Sequence, residues 1–171
     1  MALLRRIAAA LGLPGDLQRA DKYRMQSDPA LLRDVVAAMA ALLPSDTETL
    51  VGLELGGVPI AVALSLRTGL PSAVLRRTAK PGGTNPLAGA PVEGRRAVLV
   101  TDMLQGGGKL GPAVDIVRRA GAVVDYAASA VCWHPSTADA AREAGVQLLA
   151  VVTPEQVATE LARNDRSAAG Q

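Results

Sequence analysis

Short, continuously apolar runs alternate with helix-length segments through most of this chain, and that alternation restricts the fold more than any other feature. Thr49–Leu53, Ser72–Arg77, Ala97–Val100, Val123–Ala130 and Val146–Val151 read as strands. Val58–Thr68, Leu110–Ala120, Ser136–Ala144 and Pro154–Ala162 read as helices, with Gly121 and Gly145 as stops. Upstream, residues 2–11 predict a short helix, and 16–26 are polar and without a clear period. Ser27-Asp28-Pro29 is a helix start, with Asp28 as cap and Pro29 in the first turn, for a helix reaching about Leu43. Strands apolar on both faces belong in a parallel sheet covered by helices on both sides. The expectation is a single α/β domain over residues 1–171, with 164–171 a frayed tail. Ligands of such sheets sit beyond the carboxyl ends of the strands. That singles out loops 54–57, 78–94, 101–109 and 131–137. The second holds three Pro and four Gly and reads as a long loop or a hairpin.

Composition removes several function classes. Cys132 is the only cysteine, which excludes a disulfide scaffold and a thiolate zinc site. His134 is the only histidine, so no site needing two imidazoles is available. Phe is absent and the aromatics are Tyr23, Tyr126 and Trp133, too few for a base-stacking platform. A net charge of +2 gives no basic surface for nucleic acid. No apolar run approaches the roughly 20 residues of a membrane span. The N-terminal run carries Arg5 and Arg6 and continues as a helix, unlike a signal peptide. These readings predict a cytoplasmic protein with no membrane or nucleic-acid partner.

The most informative stretch is Val98-Leu99-Val100-Thr101-Asp102-Met103-Leu104-Gln105-Gly106-Gly107-Gly108-Lys109. It is a buried strand, an acid, and a glycine turn that opens a helix. Glycines let backbone N–H groups converge, and the helix N-terminus and Lys109 add positive charge. This is a seat for a phosphate or carboxylate, against the plainer reading of a strand-to-helix turn with a flexible tip. It matches neither GxxxxGK[ST] nor GxGxxG.

A strand, an acid, two apolar residues, a Gly-rich turn and a helix resemble the ribose-phosphate motif of type I phosphoribosyltransferases. Other segments narrow the resemblance to the orotate phosphoribosyltransferase family. Leu53-Glu54-Leu55-Gly56-Gly57-Val58-Pro59 is similar to its pyrophosphate loop, and Leu75-Arg76-Arg77-Thr78-Ala79-Lys80 to its Arg-Lys-x-x-Lys loop. Thr68-Gly69-Leu70-Pro71 and Ser27-Asp28-Pro29-Ala30-Leu31-Leu32 also match, so the resemblance spans about residues 21–163. It implies a phosphoribosyltransferase-type sheet, a homodimer, and magnesium bound with phosphoribosyl pyrophosphate. A protein-built metal site is not expected. By position, Arg76, Arg77 and Lys80 would contact the pyrophosphate from a loop that reaches a partner subunit. Leu55 and Gly56, flanked by Glu54 and Gly57, would approach it from the other side. Asp102 would hold the ribose hydroxyls, and the 105–109 backbone with Lys109 the 5′-phosphate of a small anionic substrate.

The chain also departs from the family pattern. Thr101 stands where the family has the first of two acids, and Gln105-Gly106-Gly107 replaces hydroxyl-bearing residues of the phosphate turn. Gly82 stands where the family's catalytic loop has a His. Cys132-Trp133 replaces an Asp-Arg pair whose Arg meets the carboxylate of orotate, and indole cannot do so. The resemblance therefore implies phosphoribosyl transfer to an acceptor other than orotate. Two alternatives stay open: a repurposed enzyme of specialised metabolism that does not use this sugar donor, and a non-catalytic nucleotide-sensing regulator. Trp133 either walls a substrate or packs at a strand end. His134 is either a general base or a surface loop residue, and Cys132 reads as a small buried residue. Lys22 is a further candidate for the substrate pocket.

Overall fold

The computed structural model describes residues 2–12, 21, 23–77, 86–159 and 162. In chain order the elements are α1 (Ala2–Ala10), α2 (Arg24–Ser27), α3 (Pro29–Leu42), β1 (Thr49–Leu53), α4 (Gly57–Thr68), β2 (Ser72–Leu75) and β3 (Leu87–Gly89). They continue as β4 (Arg96–Leu104), a 3-10 turn (Gly107–Lys109), α5 (Leu110–Arg119), β5 (Val123–Cys132), α6 (Ser136–Glu143) and β6 (Gln147–Val152). Residues 154–159 are again helical. The strands form one six-stranded sheet in the order β3-β2-β1-β4-β5-β6.

Five strands are parallel and β3 pairs antiparallel with β2. The chain works outward from β1 through β2 to β3, then restarts beside β1 at β4 and works outward the other way. The direction of winding thus reverses between β1 and β4, where the loops after the two strands diverge and leave a crevice.

Successive strand residues point to opposite faces, which explains why these strands are apolar throughout. Leu50, Val98 and Val100 join Val35, Met39, Ile60 and Leu64 in one core. Their neighbours Val51 and Leu99 join Val114, Val117, Ala127 and Ala141 in the other. Helices α3 and α4 cover the first face; α5 and α6 cover the second. Asp28 caps α3 as expected, its Oδ1 accepting from Ala30 N at 2.9 Å and Leu31 N at 3.1 Å.

Some boundaries differ from the sequence expectation. Strand β4 runs four residues past Val100, because its register against β5 pairs Thr101 with Ser129, Met103 with Val131 and Leu104 with Cys132. The same ladder carries β5 two residues past Ala130. Strand β2 ends at Leu75, short of Arg76 and Arg77, where its partner β3 runs out at Leu87. The proline- and glycine-rich stretch contributes β3, so the hairpin alternative describes its second half and the sheet is not wholly parallel. The one-turn helix α2 was not legible in its polar segment.

Candidate active site

Two loops border the reversal point, 54–57 after β1 and 105–109 after β4. The first lies close against β4, and that approach depends on glycine. A Cβ on Gly57 would overlap the Val100 carbonyl oxygen, and one on Gly52 would lie 2.9 Å from both the Ala61 Cβ and the Gly57 oxygen. The start of α4 can therefore lie directly on β1 and β4. A Cβ on Gly56 would overlap the Asp102 carboxylate. Loop 54–57, which includes a cis Glu54–Leu55 peptide, thus roofs the acid at the end of β4.

Between the loops lies a cleft of about 310 Å³, walled by Glu54, Leu55, Gly56, Arg76, Arg77, Thr101, Asp102, Gly108 and Lys109, with Leu104, Pro112 and Ile116 as apolar surface. Most of the residues singled out from the sequence are therefore brought together. Asp102 is 3% exposed. Its Oδ1 accepts from Met103 N at 2.8 Å and from Thr101 Oγ1 at 3.3 Å, and its Oδ2 accepts from Gln26 Nε2 at 3.4 Å. Burial of an acid is tolerated when its oxygens find donors in this way.

Glu54 has a structural task within the cleft. Its N–H donates to Leu75 O at 2.9 Å, and its Oε2 accepts from Arg77 N at 2.7 Å. Arg76 N donates to Pro86 O at 3.0 Å, closing the base of the segment between them. Arg76 and Arg77 are thereby fixed at the cleft edge, while Lys80 and Lys22 lie outside the described residues. Gln105 is exposed and does not line the cleft; the 3-10 turn Gly107–Lys109 does so through Gly108 and Lys109.

Trp133, His134 and Cys132 lie apart from this cleft, at the end of β5. Trp133 is half-buried and its side chain packs against the core on the α3 side, while its backbone N–H donates to Leu104 O at 2.8 Å. His134 Nδ1 accepts from Ser136 N at 3.2 Å and lies 2.7 Å from Ser136 Oγ, while its carbonyl accepts from Thr137 N at 2.9 Å. These contacts shape the entry to α6. The Cys132 thiol is buried, which pushes its pKa up; the Thr137 side chain opposes the shift and Glu155 adds to it. A raised thiol pKa does not suit a nucleophile.

No cluster of three or more His, Cys, Asp or Glu able to hold a metal occurs among the described residues. Magnesium typically takes one or two carboxylates and completes its shell with substrate phosphates and water. A cleft with the Glu54 carboxylate at its wall fits an ion carried in that way on the phosphates, and no helix of the described residues is long and apolar enough to cross a membrane.

Gln26 is the site residue that sequence reasoning missed. It sits in the polar stretch without periodicity, and only the folded chain brings it to Gly56 and Asp102.

Comparison with known proteins adds the family. No family model matches the chain. An orotate phosphoribosyltransferase of Nocardioides sp. is 41% identical over 138 residues, covering 80% of this chain and 77% of that protein. One from Halobacterium salinarum is 38% identical over 134 residues, covering 78% and 76%. The crystal structure of Mycobacterium tuberculosis orotate phosphoribosyltransferase in complex with 5-phospho-α-D-ribosyl 1-diphosphate superposes with a TM-score of 0.76 at 22% identity, covering 91% of this chain and 89% of that one. The relatives and the sheet agree: the chain belongs to the orotate phosphoribosyltransferase family and has its α/β fold.

Proposed function

We propose that the protein transfers a phosphoribosyl group from phosphoribosyl pyrophosphate to an acceptor other than orotate. The observation that carries the sugar-donor half is the cleft itself, where Arg76, Arg77 and Lys109 surround the buried Asp102 and a glycine turn. Lys109 and the 105–109 backbone take the 5′-phosphate at the start of α5. Asp102 accepts from a ribose hydroxyl. Arg76, Arg77 and Lys80 take the pyrophosphate against Leu55 and Gly56. Magnesium, when bound with the sugar donor, would neutralise phosphate charge; it would be carried on the phosphates, with the Glu54 carboxylate at the cleft wall.

In the reaction, a nitrogen of the acceptor forms a bond to the anomeric carbon as the bond from that carbon to pyrophosphate breaks. Negative charge grows on the leaving group. The Arg76 and Arg77 guanidinium groups at the cleft wall stabilise that charge. By the family analogy the protein works as a homodimer.

The acceptor half rests on the end of β5. Trp133 stands where the family's arginine meets the carboxylate of orotate, and it is packed on the core. The neighbouring His134 is engaged with Ser136. Neither supplies the two-pronged charged contact that a carboxylate favours. Orotate, phosphoribosyl pyrophosphate and magnesium incubated with the protein should therefore yield no orotidine monophosphate by chromatography. Formation of that product would overturn the acceptor reading and leave the sugar-donor reading standing.

A further inference from the structure

The side chain of Gln26 crosses from α2 to two other segments. Its Nε2 donates to the Gly56 carbonyl at 2.9 Å and to Asp102 Oδ2 at 3.4 Å. An amide nitrogen carries two hydrogens, so one side chain can make both bonds. The carboxylate of Asp102 can accept about two hydrogen bonds on each oxygen. Met103 N and Thr101 Oγ1 fill Oδ1. Among the described residues Gln26 is the donor to Oδ2, which leaves one acceptor position on that oxygen, beneath Gly56 and at the cleft wall.

We propose that Gln26 is a positioning residue: it fixes the Asp102 carboxylate so that one defined acceptor position is left for a sugar hydroxyl. It also ties the 54–57 loop to the end of β4, so the two walls of the cleft keep their spacing. Gln26 acts through Asp102 and Gly56 and does not touch the substrate. A site organised before binding loses less freedom when the substrate arrives. The inference rests on the sugar-donor reading above for its consequence, but the Gln26–Asp102 contact stands without it.

Variants Gln26→Leu and Gln26→Glu, each alone and combined with Asp102→Asn, test this. The ionisable groups sharing the cleft with Asp102 are Glu54, Arg76, Arg77 and Lys109. Arg24 and Asp28 flank Gln26 on its own segment, and Asp28 is committed to the α3 cap. In Gln26→Glu two carboxylates face each other, and two such groups hold a shared proton to higher pH than either would alone. The folded variant then binds more protons than the unfolded chain, so its stability falls as pH rises through that range.

Ligand-free melting should give a Gln26→Glu midpoint close to wild type at pH 4.5 and clearly lower at pH 7.5. The difference should vanish in the Asp102→Asn background. At pH 7.5 both Gln26 variants should bind magnesium phosphoribosyl pyrophosphate about tenfold more weakly. At pH 5 Gln26→Glu should regain affinity, because its protonated carboxyl can donate to Asp102, while Gln26→Leu should not. A Gln26→Glu deficit that is equal at both pH values, or that persists unchanged with Asp102→Asn, overturns the proposal. If wild type itself fails to bind the sugar donor, the functional reading falls, and the ligand-free pH response still decides the Gln26 contact.

Discussion

Gly56 matters through what it lacks. Its backbone is ordinary right-handed helical (φ −69°), so conformational freedom is not the reason for glycine. The reason is Asp102, whose carboxylate occupies the place of a Cβ. Gly56→Ala should cost about 1–3 kcal/mol in urea unfolding, the usual range for overpacking, and should displace the acid as well. Unchanged stability would mean that the loop has room to move. Cys132 makes the opposite kind of prediction. Its thiol pKa is raised by burial, so at pH 8 it should react with a thiol reagent far more slowly in the folded protein than in denaturant. The sign for stability follows. The folded thiol keeps its proton to higher pH than the unfolded one, so its contribution is complete below the ordinary Cys value and declines as pH rises past it. Asp102 and Lys109 were readable from the chain because a strand, an acid and a glycine turn are local in sequence. Gln26 was not, because its partner Asp102 is 76 residues away and the bond exists only after α2 docks.

Among the elements, α3 is the best specified by its own residues. Asp28 supplies both cap bonds and Pro29 starts the first turn. Asp28→Ala should lower unfolding free energy by about 1 kcal/mol, measured by denaturant titration. A null effect would place the stability of α3 wholly in its packing against α4 and the sheet. Helix stops were legible for the same local reason: Gly121 and Gly145 take positive φ just after α5 and α6. Strand ends were less so. The apolar run of β4 is interrupted at Thr101 and Asp102, and beyond Val100 its partners in the ladder lie in β5. Polar character at Thr101 and Asp102 suggested a loop, while pairing with Ser129 made a strand. That difference has a consequence for the site. As strand residues, Thr101 and Asp102 are held by the sheet rather than by a loop, and their neighbours cannot drift.

At the scale of the whole molecule, function follows from where the winding reverses. Loops after β1 and β4 separate there, and residues that bear on chemistry converge although Gln26 and Asp102 alone stand 76 positions apart. The family fold was legible because several motifs stood in the right order. The acceptor side was not, because Trp133 and His134 at the end of β5 are engaged in packing and helix entry. Thr101 lines the cleft beside Asp102 and carries no charge. A carboxylate there would add a charged hydrogen bond worth roughly 1.5–3 kcal/mol, so Thr101→Asp should tighten binding of phosphoribosyl pyrophosphate by tenfold or more. No gain would show that the threonine is not what limits the grip.

The central claim is that this cleft takes the sugar donor, and calorimetric titration of phosphoribosyl pyrophosphate at low salt, with and without magnesium, tests it most directly. The account predicts binding in the micromolar range, about −8 kcal/mol, that requires magnesium and weakens in Asp102→Asn. No heat of binding under either condition, or binding unaffected by Asp102→Asn, would contradict it and assign the cleft to a different anion.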